Sequence, residues 1–131
     1  MRYMLFMLPG QPPSSADQDN WTPSREAVEA MTRYNKSLQE AGVLLDLNGL
    51  HSPEEAVRIA FPGGRPQVVD GPFAETKELV GGYWIIDVKS REEAIEWAKR
   101  CPIGGEGPMI EVRQIFELSE FPEELQEAAR L

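Results

Sequence analysis

Apolar positions along this chain switch between helical and extended spacing, and the switches mark its elements. Tyr3–Leu8 is apolar throughout and short, which predicts a buried strand. Residues 9–21 are rich in Gly, Pro, Ser, Asp and Gln and have no apolar periodicity, so they predict a loop. Thr22 offers an N-cap with Pro23 at the first helical position. Ala27, Val28, Met31, Tyr34, Leu38 and Ala41 follow at helical spacing, and Gly42 ends that helix. Val43–Leu47 reads as a second strand, closed by Asn48-Gly49 and a turn through His51, Ser52 and Pro53.

Strand spacing then returns. Ala56–Phe61 alternates, with Val57, Ile59 and Phe61 on one face and Ala56, Arg58 and Ala60 on the other. Pro62-Gly63-Gly64 predicts a hairpin loop, and Gln67–Val69 its return strand. Asp70-Gly71-Pro72 stops that strand, because Pro72 has no N–H for a ladder. A polar stretch and Gly81-Gly82 lead into an apolar strand, Tyr83–Val88. Ser90 and Glu93 have capping-box spacing and open a helix that buries Ala94, Ile95 and Ala98 and stops before Pro102. Ile110–Leu118 predicts the last long strand, with Ile110, Val112, Phe116 and Leu118 on one face. Residues 119–131 hold a short acidic helix with Phe121 and Leu125 on its apolar side.

The long elements run β-α-β, an inserted hairpin, then β-α-β. That order predicts an α+β fold of the ferredoxin-like, split βαβ kind, in one domain over residues 1–131. Two helices cover one face of such a sheet. Tyr83 and Ile85 point opposite to Trp84, Ile86 and Val88, so the uncovered face is apolar too. A face of that kind predicts a homodimer packed sheet on sheet.

Composition narrows the partners. A net charge of −9 argues against binding nucleic-acid phosphates or an anionic membrane surface. Hydrophobic residues make up 41% of the chain, enough for one core. The single cysteine, Cys101, cannot form an internal disulfide, which fits a cytoplasmic location. The apolar run at Tyr3–Leu8 is too short to span a bilayer.

Candidate chemistry centres on two turns. His51 is the only histidine, and imidazole is the side chain that exchanges a proton near neutral pH. Asp70 could orient its ring as the acid of a hydrolase triad does. The plainer reading makes His51 a surface residue and Asp70 a turn cap. Lys77, Arg58 and Glu75 are candidate substrate-binding groups: Lys77 and Arg58 for an anionic group, Glu75 as a second acid. Charge pairing on a solvated surface accounts for them equally well. Tyr3, Tyr83 and Trp84 read as core aromatics. Cys101, at a helix C-terminus, is expected to have a raised pKa and no nucleophilic role. One His and one Cys give no zinc pattern, so no metal is expected. No phosphate loop or redox-cofactor motif is present, so no cofactor is expected either.

Several stretches together resemble a known family. They are Val69–Glu78 (Val-Asp-Gly-Pro-Phe-Ala-Glu-Thr-Lys-Glu), Gly81–Val88 (Gly-Gly-Tyr-Trp-Ile-Ile-Asp-Val), Glu93–Ala98 and Ile110–Arg113. Met1–Leu5 and Gly49–Ser52 fit as well. This pattern is similar to the YCII-related, or DGPF-domain, family, and it covers the chain to about Glu117. The resemblance implies a dimeric α+β barrel, a cleft holding a His and an Asp that fall on His51 and Asp70, and association with extracytoplasmic-function sigma factors. Ser52 stands where the family often has Pro, and Trp84 where Tyr or Phe is commoner.

Two functions remain open. The first is a cofactor-independent enzyme of isomerase, dehydratase or hydrolase type, acting on a small organic molecule through His51 and Asp70 in a cleft between the first helix and the sheet. The second is a non-catalytic ligand-binding or regulatory module, with a sigma factor as a candidate partner for its acidic surface.

Overall fold

The first strand, β1 (Arg2–Leu8), lies at the centre of a sheet in this computed structural model, which describes residues 1–10, 23–71, 79–103 and 107–130. β1 pairs antiparallel with β5 (Gly82–Asp87) on one side and with β6 (Met109–Gln114) on the other. β2 (Leu44–Gly49) pairs antiparallel with the outer edge of β5, giving the order β2-β5-β1-β6. β1 and β2 therefore run parallel to each other with β5 between them. The inserted hairpin, β3 (Val57–Ala60) and β4 (Gln67–Asp70), forms a separate two-stranded sheet.

Register assigns the two faces of the large sheet. Tyr3 lies opposite Ile86 and Leu5 opposite Trp84 and Val112. These side chains face the helices α1 (Arg25–Glu40) and α2 (Arg91–Lys99), and the core forms there. Leu5, Leu38, Ile86 and Ala94 are fully buried within it. Burying side chains the size of Leu or Ile contributes about 1.5–3 kcal/mol each. Tyr34 joins the layers: its ring meets Trp84 edge-on at 5.7 Å, and its hydroxyl donates to the Trp97 carbonyl at 2.8 Å. The opposite face carries Met4, Phe6, Leu8 and Ile85, half-buried and uncovered by any described helix.

Helix starts follow their caps. Ser24 caps α1, its hydroxyl accepting from the Ala27 N–H at 3.2 Å, so the helix begins beyond Pro23. Thr22, the expected cap, lies outside the described residues. At α2, Ser90 accepts from the Glu93 N–H as expected, but the Glu93 carboxylate reaches back to the Lys89 N–H at 2.9 Å. Gly42 follows α1 with φ of +74°, the left-handed conformation that lets the chain turn into β2.

Two expectations change. β6 ends at Gln114, so Phe116 and Leu118 leave the ladder. Its partner β1 starts at Arg2, whose carbonyl accepts from the Ile115 N–H at 2.9 Å as the pairing runs out. Phe116 instead stacks on Phe121 at 4.8 Å, ahead of the acidic helix α3 (Glu123–Ala129). The apolar stripe of α1 also divides. Tyr34 and Leu38 are buried, while Ala27 and Val28 are exposed, Val28 by 47%.

Candidate functional site

The exposed half of the α1 stripe faces a cavity of about 600 Å³. The space lies between that half of the helix and the sheet, over the ends of β1, β2 and β5. Val28 and Met31 wall it from the helix, and Met7, Leu47 and Trp84 from the strands. Pro102 and Ile103, just past α2, close one side. Its floor is kept clear by two glycines opposite each other in register, Gly49 and Gly82. A Cβ on Gly82 would sit 2.9 Å from the Asn48 carbonyl oxygen, whereas a Cβ on Gly49 would meet nothing within 4 Å. Among the described residues no Lys, Arg, His, Asp or Glu lines the cavity.

Thr32, Asn35, Asn48 and Tyr83 are the polar side chains of its described lining; Asn48 and Tyr83 bond each other, and Asn35 is tied to a wall residue. The Asn35 Oδ1 accepts from the Trp84 indole N–H at 2.7 Å, which sets both side chains. Asn35 stands four residues after Met31 on the side of α1 that carries the apolar stripe, a polar interruption that could have marked the site and that sequence reasoning passed over. Sequence reasoning placed Trp84 in the core, where it lies, without its second role as a cavity wall.

His51 follows Leu50, which is part of the cavity wall and whose N–H donates to the Gly81 carbonyl at 2.9 Å. The His51 side chain is 90% exposed, and its Nδ1 lies 2.9 Å from the Glu55 carboxylate. The tight turn Pro53–Glu55, capped by Ser52, carries Glu55 back over the imidazole. Asp70 lies on the exposed hairpin, opposite Val57 in register. No hydrogen bond joins His51 to Asp70. Arg58 is exposed on the other face of the hairpin, opposite Val69. Glu75 and Lys77 lie outside the described residues.

A second polar group occupies the uncovered face of the sheet. The Tyr83 hydroxyl donates to Asp46 at 2.9 Å and accepts from the Asn48 amide at 3.0 Å. Cys101 is buried, and burial pushes its thiol up to about 11, the direction expected from sequence but with burial, not the helix end, as its cause. Among the described residues no group of three or more His, Cys, Asp or Glu side chains is placed to hold a metal ion. None of their helices is long and apolar enough to cross a membrane.

The sequence matches the model of the YCII-related domain over residues 1–119. A protein of Rhizobium meliloti (strain 1021), described as uncharacterised, is 36% identical over 80 residues. That match covers 58% of this chain and 64% of the relative, so less than two thirds of the relative's length is spanned. The family match takes in every strand of the sheet, the cavity and both candidate turns, and on it the chain belongs to the YCII-related domain family.

Proposed function

We propose that this protein binds a small organic molecule in the cavity between α1 and the sheet. The cavity itself carries the reading. It has the size and the mostly apolar lining of small-molecule sites, with few polar groups. Nile red, a neutral dye that brightens in apolar surroundings, tests it. Saturable, single-site binding is expected, and Gly49→Ile, which places a side chain in the open floor, should abolish it. Equal binding by the variant would move the site elsewhere.

Catalysis at the same cavity is the second reading, favoured by the position of His51 next to the wall residue Leu50. There His51 exchanges the proton in an isomerase, dehydratase or hydrolase reaction, with no cofactor. Glu55 already sits on Nδ1 and is a rival to Asp70 as the orienting acid. Arg58, Glu75 and Lys77 remain substrate-binding candidates. With a substrate found by screening, His51→Ala should abolish turnover and leave the fold intact. Turnover that survives the change rules this reading out.

The wider assembly is part of the proposal. The strand order β2-β5-β1-β6, with β1 and β2 parallel around β5, supports the ferredoxin-like, split βαβ description. The apolar open face and hairpin support a homodimer of the α+β barrel kind. A sigma factor as partner rests on family resemblance and on the charge of −9. Titration with a purified extracytoplasmic-function sigma factor at low and high salt tests it, and no binding at low salt removes it. A cytoplasmic setting rests on cysteine usage, and Cys101 is reduced and buried in the fold.

A further inference from the structure

We propose that the cavity selects an uncharged, largely apolar molecule that offers a carbonyl or ether oxygen to the Asn35 amide. This rests on the cavity being the binding site. It goes further by naming the chemical class that the site accepts and the atom that recognises it.

Charge is the first argument. An ionised ligand entering this space gives up water against the apolar walls, and among the described residues no lining side chain supplies a counter-charge. Desolvation without compensation makes such binding unfavourable. A neutral molecule escapes that cost and keeps the benefit of covering the apolar walls.

The second argument is the state of Asn35. Its Oδ1 is committed to Trp84, which fixes the amide plane and leaves Nδ2 as the group available to a ligand. Among the described residues Nδ2 has no hydrogen-bond partner. It can donate, so the matching ligand atom is an acceptor. A ligand that lacked one would cover Nδ2 unpaired, and a buried unpaired donor is unfavourable.

Shape completes the case. Gly49 and Gly82 give a flat floor with no side chain. Met7 and Met31 bring flexible, polarisable thioethers from opposite walls, and such groups pack well against aromatic rings. An aryl ketone meets all of these conditions.

Three matched probes test the proposal by displacement of Nile red. Benzophenone has the carbonyl, diphenylmethane lacks it, and 4-benzoylbenzoate adds a carboxylate. Benzophenone is expected to displace the dye at a roughly three- to tenfold lower concentration than diphenylmethane. 4-Benzoylbenzoate should need more than about tenfold more than benzophenone. Asn35→Asp keeps the acceptor for Trp84 and removes the donor, so it should erase the advantage of benzophenone over diphenylmethane. Circular dichroism on this variant separates that loss from misfolding, and Lys99→Ala, outside the cavity, should keep the ranking of the probes.

Displacement by 4-benzoylbenzoate as good as or better than by benzophenone overturns the proposed class and leaves the site in place. So does an unchanged preference in folded Asn35→Asp. If none of the probes displaces the dye and Gly49→Ile binds it like the wild type, the cavity itself is not the site. Apparent affinity that falls as protein concentration rises makes a second copy the occupant, which also overturns the proposal.

Discussion

Tyr34 and Cys101 set how the protein responds to alkali. Burial raises the pKa of both, Cys101 to about 11, and Tyr34 well above its usual range of about 10. In each case the folded state holds a proton that the unfolded chain releases. Their contribution to stability is complete below pH 9 and is lost as pH rises through the folded pKa. Thermal melts from pH 8 to pH 11 should show a falling Tm. Tyr34→Phe should lower stability at pH 7 by about 1 kcal/mol, through loss of the bond to Trp97, and flatten the alkaline decline. A slope unchanged in that variant would place the titrating group elsewhere. Native Cys101 should react with a thiol reagent at pH 7.5 far more slowly than the unfolded chain. At this scale the sequence pointed to a cleft between the first helix and the sheet, where the cavity lies, but drew attention to the ions rather than to the groups that line it. His51 and Asp70 stand out as residue types, but contact depends on turns that spacing does not resolve. The turn at Pro53–Glu55 supplied His51 with an acid four residues away.

Elements were more legible than contacts, because periodicity reports which face is buried. The apolar run of β1, the stripe of α1, the cap of α2 and the alternation around Trp84 all carried over into the fold. The misreadings share a cause. Alternation continues through Phe116 and Leu118, yet a strand lasts only as long as its partner, and β1 ends the ladder near Arg2. The α1 stripe likewise predicts an apolar face and cannot say whether that face meets a core or a cavity. The glycines of β2 and β5 give a matched test of the inferred floor. Gly82→Ala forces a Cβ against the Asn48 backbone and should cost about 1–3 kcal/mol in urea unfolding. Gly49→Ala enters open space and should change stability by less than about 1 kcal/mol. Equal effects would mean that the two glycines do not differ as the geometry requires. Ser90→Ala should cost about 1 kcal/mol by leaving the Glu93 N–H without its cap.

For the whole molecule, the hairpin and the open sheet face are the features that one copy of the chain leaves unsettled. A two-stranded hairpin is marginal in water unless its apolar side chains pack against something. Here Ile59 and Val68 face each other across β3 and β4 on a shared face, 48% and 62% exposed, and Phe61 next to them is 64% exposed. Solvent exposure of so many large apolar groups, together with the uncovered Met4, Phe6 and Ile85, is unfavourable for an isolated chain. A second copy can bury both surfaces symmetrically. Light scattering at micromolar concentration should give twice 14.7 kDa, and Tm should rise with protein concentration. Ile59→Lys with Val68→Lys would place like charges opposite each other on the apolar face of the hairpin. If the hairpin belongs to the interface, the mass should fall to 14.7 kDa while the sheet and helices keep their circular dichroism signal. A dimer that survives both substitutions would shift the interface to the open face around Phe6 and Ile85. A wild type that stays at 14.7 kDa at every concentration would end the homodimer reading and leave the apolar hairpin for a different chain.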